Sequence, residues 1–453
     1  MNGKENIMGT KKIFPLLMSM AIPPMISMLI QSLYNIVDGY FVAKMGQNEL
    51  TAVSLAFPLQ NICLAFAVGL GVALNSSISR SLGAKNKKEI EQAVEHGMVL
   101  SAIHSVILIV MGLCVSHAFI SAFTSDSNII KMGTEYSLIT VCFSFGIQFH
   151  ISIEKTFQAF GKMLIPMLLQ AVGAITNIIL DPILIFGMFG LPAMGVKGAA
   201  IATVIGQIFA CFLSFVLFKK SKISEMSFKG FRFDKQMLKR LYSVAVPSAL
   251  MTAMPSLLVT LLNGLLSALF TQTSVAVFGL YYKLQTFVNM PANGLIQGMR
   301  PIAGYNYGAR NTDRLKSTVV CSINVTAVLM LIGTLISVLL PQQILKIFEA
   351  DEQMMAIGVD ALRILGSAFV ISTVALVLSG VFEAIGKGVS SLIVSLLRQL
   401  VIVPPLSYVL ALAIGLNGVW LSFPIAELIA LVVSLVLLKK MKLFSKEKIL
   451  SSN

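Results

Sequence analysis

Long apolar runs alternate with short polar connections along the whole chain. Six runs fall at roughly 13–42, 51–79, 93–120, 135–160, 164–187 and 198–218, and six more at roughly 241–270, 275–299, 317–340, 356–383, 389–414 and 418–438. Crossing a hydrocarbon layer about 30 Å thick takes roughly 20 apolar residues of helix. The ten-residue alternation of a membrane β-barrel is absent, so the spans are expected to be helical. One polar connection is long: "KKSKISEMSFKGFRFDKQMLKR", residues 219–240, with eight basic residues. The expected fold class is an all-α polytopic membrane protein with twelve transmembrane helices in two pseudo-symmetric six-helix lobes. The division is 1–218 for the N-lobe, 219–240 for a cytoplasmic basic linker, and 241–453 for the C-lobe and a cytoplasmic tail.

The two lobes are expected because the halves repeat. "GLGVALNSSISRSLGAKN" (69–86) matches "GLIQGMRPIAGYNYGARN" (294–311) at an offset of 225, and "FQAFGK" (157–162) matches "FEAIGK" (382–387) at the same offset. Ala21-Ile22-Pro23 pairs with Ala245-Val246-Pro247, and "GVKGAAIATVIGQ" (195–207) with "GLNGVWLSFPIAE" (415–427) after a five-residue deletion. Six spans per repeat start both halves on one side of the membrane, so the repeats are parallel. Two lobes facing each other across a cavity suit alternating access, hence a transporter.

Composition sharpens this reading. The chain has 453 residues, 56% hydrophobic and 12% charged, with mean hydropathy +0.86. A soluble domain carries about twice that charged fraction. The basic residues behind the net charge of +14 fall mostly in the ends and short loops on one side of the spans, which puts both termini in the cytoplasm by the positive-inside rule and argues against nucleic-acid binding. The first run is too long for a signal peptide and lacks a small-residue cleavage pattern, so it is expected to be a retained span. The five cysteines lie in apolar runs without a CxxC pair and read as small core hydrophobes. No Walker A loop, HExxH, GxSxG or metal-spaced Cys/His cluster appears, so the chain reads as no enzyme, with no cofactor and an ion gradient as energy source.

The candidate chemistry starts in "QSLYNIVDGYFV" (31–42). A carboxylate at membrane depth is costly without a partner or a function. Gln31, Tyr34, Asn35 and Asp38 stand at i, i+3, i+4 and i+7, one helical face. The fifth span carries Gln170, Asn177 and Asp181, with Pro182 next, and the sixth carries Thr203 and Gln207. Both acids belong in the outer half of the membrane, counted from Lys12 and Lys162. Asp38, Asp181, Asn177, Thr203 and Tyr34 are the expected cation-coupling group, with Gln31, Asn35, Gln170 and Gln207 as supporting polar stripe. Their oxygens suit Na⁺, a hard cation; alternatively the two acids share one proton, because like charges held close oppose full ionisation. Pro23 and Pro24 are the natural hinge of the first span. In the second half Leu262 stands where Asp38 would, and no acid matches Asp181.

Other positions carry blander expectations. Gln158 and Glu383, equivalent in the two F-x-A-x-G-K motifs, are expected to contact Lys162 and Lys387 at helix ends. Arg398 and Glu427 fall inside C-lobe spans, where a pair between them is one option. His104 and His150 read as structural. Met28, Met251, Met254 and Met290 are candidates for a substrate cavity, since methionine repacks around varied ligands.

Pro23-Pro24, "YNIVDGYFV", "SRSLGAKN", "FQAFGK", "NIILDP" and "GAAIAT", in this order, resemble the multidrug and toxic compound extrusion (MATE) transporters, in particular their MepA-like bacterial branch. The resemblance covers nearly the whole chain. It implies a secondary active exporter of small amphipathic, often cationic compounds, coupled to inward Na⁺ or H⁺ flow, multi-pass in the bacterial plasma membrane and expected as a monomer in the lipid bilayer. It also implies an N-lobe cation site of acids and amides at the positions named above. The family shares its fold with lipid-linked sugar flippases, so a glycan or lipid flippase is the alternative function. A non-transporting membrane receptor or enzyme is the second.

Overall fold

A computed structural model describes residues 6–223 and 231–444 of the chain. The middle of the basic linker (224–230) and the end of the expected tail (445–453) lie outside the described residues.

Almost every described residue is helical. The first half holds a short α1 (Ile7–Thr10), then α2 (Ile13–Met45), α3 (Gln47–Gly83), α4 (Lys87–Ser121), α5 (Ser127–Cys142), α6 (Phe145–Ala159), α7 (Leu164–Phe186) and α8 (Val196–Ser221). The second holds α9 (Lys235–Leu269), α10 (Gln272–Gly308), α11 (Thr312–Leu339), a short α12 (Pro341–Ile347), α13 (Glu352–Ala384), α14 (Gly388–Leu396), α15 (Val403–Ile414) and α16 (Leu416–Lys440).

Among the described residues ten helical segments are long and apolar enough to cross a membrane, α14 through α15 counted as one. The pair α5–α6, bent by 42°, makes eleven. The fourth span thus begins earlier than expected and is broken at Phe143–Ser144. The remaining long helix is α10, 37 residues, more polar than the rest because it carries Lys283, Gln285, Asn289, Asn293 and Gln297. With it the twelve spans read from the sequence are accounted for. The eleventh span is interrupted by a π-helical turn, Leu397–Val401. Pro404 and Pro405 follow it, and their missing N–H groups disturb the ladder one turn back.

The repeat is visible in atomic detail. At the end of α3, Lys85 adopts φ 58° and the Asn86 N–H bonds Ser81 O at 2.9 Å. At the end of α10, Arg310 adopts φ 56° and the Asn311 N–H bonds Asn306 O at 2.9 Å. Both are Schellman closures. Asn86 and Asn311 then cap the next helix, accepting from the N–H of Glu89 (3.2 Å) and Arg314 (3.1 Å). The F-x-A-x-G-K motifs close helices in the same way, with Gly161 (φ 77°) and Gly386 (φ 83°) in the left-handed position that glycine takes without a steric penalty.

By packing, the chain forms two compact units: 26–252, and 1–25 with 253–453. The linker separates the repeats, whereas the units change over inside α2 and α9. Side chains show why. Gly69 meets the Ala245 carbonyl and Ala249, so α3 lies against the first half of α9. The matching Gly294 meets Met25, so α10 lies against the first half of α2. Tyr242 bonds His104 at 3.0 Å, the Asp234 N–H donates to His96 Nε2 at 2.9 Å, and Arg240 pairs with Glu89. In the other unit Arg314 donates to the carbonyls of Met8 (3.2 Å) and Lys11 (2.7 Å).

Charges buried near the motif ends are paired differently from expectation. Glu383 meets Arg300 of α10, not Lys387, which is exposed. Gln158 bonds Glu154 (2.8 Å) and Lys155 (3.2 Å) inside α6, not the exposed Lys162. The motif lysines follow the left-handed glycine and leave the helix, so their side chains point away from the acid or amide. Arg300 stands where the first repeat has Asn75, whose side chain donates to Lys155 O at 3.3 Å.

Two predictions follow from this packing. Removing Arg300 alone leaves Glu383 buried without its cation, so Arg300→Leu is expected to cost about 3 kcal/mol or more. Arg300→Leu with Glu383→Leu should recover part of that loss in thermal unfolding of the detergent-purified protein. A Cβ on Gly206 of α8 would stand 2.8 Å from the Gly173 carbonyl of α7. Gly206→Val is therefore expected to destabilise by about 1–3 kcal/mol, while Gly264→Ala, with nothing within 4 Å of its added Cβ, leaves the unfolding temperature unchanged or raised.

Candidate functional site

The polar stripe of α2 meets α7 and α8 inside the 26–252 unit. The crossing of α7 and α8 is close because Gly173 and Gly206 face each other there. One turn from Gly206 is Thr203, and one turn from Gly173 is Asn177. That contact brings their side chains together: Asn177 Nδ2 donates to Thr203 Oγ1 at 3.3 Å and to Asp181 Oδ1 at 3.3 Å. Asn177, Asp181 and Thr203 are 2%, 0% and 5% exposed.

From α2, Asp38 approaches Asp181 so that the two carboxyl groups lie within hydrogen-bonding reach of each other. The Tyr34 side chain turns toward Thr203. Three buried oxygens at this meeting point accept no hydrogen bond: Asp38 Oδ1, Asp181 Oδ2 and Asn177 Oδ1. Every one is an acceptor facing a shortage of donors, which is the chemistry that draws a proton or a hard cation. The five residues expected as the coupling group thus come together.

The supporting stripe is more open. Gln170 Nε2 donates to Gln31 Oε1, and Gln31 Nε2 to Asn35 Oδ1 at 3.3 Å, tying α7 to α2 about two turns from Asp38. Gln207 is half-buried on α8 and makes no hydrogen bond with this group among the described residues. Pro23 and Pro24 are buried, and α2 runs through them as one helix. Their position is two residues before the change of unit at Ile26. Met28, Met251 and Met290 are half-buried, whereas Met254 is 3% exposed and belongs to the packed interior rather than to an open lining.

Two further residues join the site that the sequence did not single out. Tyr136 of α5 is 2% exposed, lies near Asp38, Tyr34 and Asp181, and receives a 3.2 Å bond from Gln60 of α3. Gln60 stands next to Asn61 on α3 and Tyr136 between Glu135 and Ser137 on α5, so no helical spacing singles either one out. Also unannounced is the buried run around Glu154: Lys155 Nζ lies 3.0 Å and His150 3.8 Å from its carboxylate, and His150 bonds Ser214 at 2.9 Å. His104 and His150 each contact a hydroxyl, of Tyr242 and Ser214 respectively. Among the described residues no group of three His, Cys, Asp or Glu is arranged to hold a metal ion.

Comparison with known proteins agrees with this architecture. The MatE family profile matches residues 23–183 and 247–409, one stretch in each repeat. The multidrug export protein MepA of Staphylococcus haemolyticus is 27% identical over 420 residues, 92% of this chain and 91% of that protein. A crystal structure of MATE in the bent conformation superposes with a TM-score of 0.88 at 27% identity, covering 94% of this chain and 95% of that one. Another, of MATE in the straight conformation, superposes with 0.89 at 26% identity, covering 96% and 97%. The chain belongs to the MatE family, the multidrug and toxic compound extrusion transporters.

Proposed function

We propose that this transporter exports small amphipathic, often cationic compounds from the cell in exchange for inward Na⁺ or H⁺, coupled through Asp38 and Asp181. The orientation has both termini in the cytoplasm of a bacterial plasma membrane. The names of the staphylococcal relatives, multidrug export proteins, support the substrate class. The observation that carries the coupling role is the trio of unpartnered buried oxygens on Asp38, Asp181 and Asn177. Two acids this close repel when both are ionised and unshielded. One proton between them, or one Na⁺ among the three oxygens, removes the repulsion and draws α2 onto α7 and α8. Losing that proton or ion lets α2 part from them.

The proline pair gives this motion a place to act. Proline lacks an N–H and frees a carbonyl one turn earlier, so α2 bends most easily near Pro23 and Pro24. Occupancy at Asp38 would set the path of the α2 segment beyond them, and with it the shape offered to substrate. Access then alternates between the two sides of the membrane as the coupling ion enters from outside.

Asp38→Asn and Asp181→Asn are each expected to reduce efflux of a fluorescent cation from energised cells to background, with membrane expression unchanged. Wild-type efflux by Asp38→Asn overturns the coupling role. In proteoliposomes, either an imposed Na⁺ gradient or an imposed H⁺ gradient, each applied alone, is expected to drive transport. If neither does, the antiport reading fails.

A further inference from the structure

Among the described residues of the 1–25/253–453 unit, a pair of opposite charges is buried. Arg398 Nε and Nη2 both donate to Glu427 Oε1, at 3.0 and 2.6 Å. Glu427 Oε2 is buried and accepts nothing. A guanidinium and a carboxylate in matched geometry form two parallel bonds to two oxygens; here one oxygen takes both. Arg398 therefore spends two of its five N–H donors on half of a carboxylate. Each side chain keeps 12% exposure, so neither is fully sealed off.

The fold itself requires no charge here. Gly173 stands eleven residues beyond Lys162, as Arg398 stands eleven beyond Lys387, and Gln207 matches Glu427 in the repeat. In the first repeat the two helices simply close together through Gly173 and Gly206. In the second, Arg398 rides on the π-helical turn Leu397–Val401, where the Ile402 N–H reaches back to Leu397 O at 3.0 Å. Such a turn re-aims side chains and recurs at functional sites. Beside the pair is Tyr281, fully buried, with a hydroxyl that makes no hydrogen bond and has Glu427, Arg398 and Gln285 as polar neighbours. An acceptor oxygen and a hydroxyl are thus both left unmatched around one displaceable contact.

We propose that Arg398 and Glu427 form a substrate subsite for zwitterionic amphipaths, in which the compound's carboxylate takes Arg398 and its cationic group takes Glu427. This rests on the reading of the chain as an exporter of amphipathic compounds. An incoming carboxylate offers two oxygens where Glu427 offers one, with the Tyr281 hydroxyl as a further donor. The exchange replaces one ion pair by two, so neither buried charge is left unpaired at any stage. Glu427 holds the guanidinium in place between transport cycles.

The test uses a matched pair of dyes, zwitterionic rhodamine 110 and its methyl ester rhodamine 123, a cation without the carboxylate. Binding is read by fluorescence polarisation on the full-length protein in detergent. The wild type is expected to bind both. In the double variant Arg398→Gln/Glu427→Gln, which leaves no charge unpaired, rhodamine 110 should weaken about tenfold or more, the scale of a lost charge-assisted double bond; rhodamine 123 has no carboxylate to draw Arg398 off Glu427, does not engage the subsite, and should be unchanged. Arg398→Lys, which keeps the charge and loses the fork, should fall between. Equal weakening of both dyes, or unaltered rhodamine 110 binding, overturns the subsite and leaves the pair a structural clamp. Wild type that binds rhodamine 123 alone also overturns it while sparing the exporter reading; binding of neither dye overturns both.

Discussion

Hydrocarbon offers nothing to a polar side chain, so every buried charge of a membrane protein has to be answered by the protein itself. That rule organises this chain. Arg300 answers Glu383, Lys155 and Gln158 answer Glu154, and Arg398 answers Glu427. Against this background of paired charges the meeting of Asp38 and Asp181 differs: among the described residues no salt bridge reaches either acid, and the oxygens around them are left over. The rest of the unit, from the glycine crossing of α7 and α8 to the polar stripe on α2, holds the two acids at that separation.

The two repeats show how one scaffold was divided between tasks. Gln60 and Gln285 occupy matching positions, and each lies beside a buried tyrosine. The tyrosine of the first repeat is Tyr136, on the α5–α6 span, whereas that of the second is Tyr281, on the same helix as its glutamine. Where one repeat has tyrosine the other has a fully buried alanine, Ala361 or Ala56. The large and the small side chain thus exchange places between the matching positions of the two repeats. The helix pairs behind them diverge further, into Gly173 facing Gly206 in one repeat and Arg398 facing Glu427 in the other.

Much of this was readable in the chain. Apolar run length gave the spans, since a helix must cover the bilayer, and the offset of 225 exposed the repeat because both copies need the same turns. The Asp38 stripe was legible because four polar groups at helical spacing have only one face to share. Tyr136 and Gln60 were not, since the polar residues around each follow no helical spacing and their partners come from other segments. Glu383 was assigned to the nearest lysine in sequence, but the left-handed glycine between them sends that lysine outward, and the partner lies about 80 residues away. The break between α5 and α6 and the change of unit within α2 depend on packing, which no local pattern encodes.

The capture of the first helices by the far end of the chain bears on how the protein is made. Met8 and Lys11 leave the ribosome some three hundred residues before Arg314, which binds their carbonyls. Until then the leading segment has no docking site, and the 26–252 unit can pack while its neighbour waits for both ends. Contacts of such sequence separation are late and slow to form. The segment around Met8 and Lys11 is thereby a timer for assembly: it locks only when the second repeat has been synthesised as far as Asn306 and Arg314.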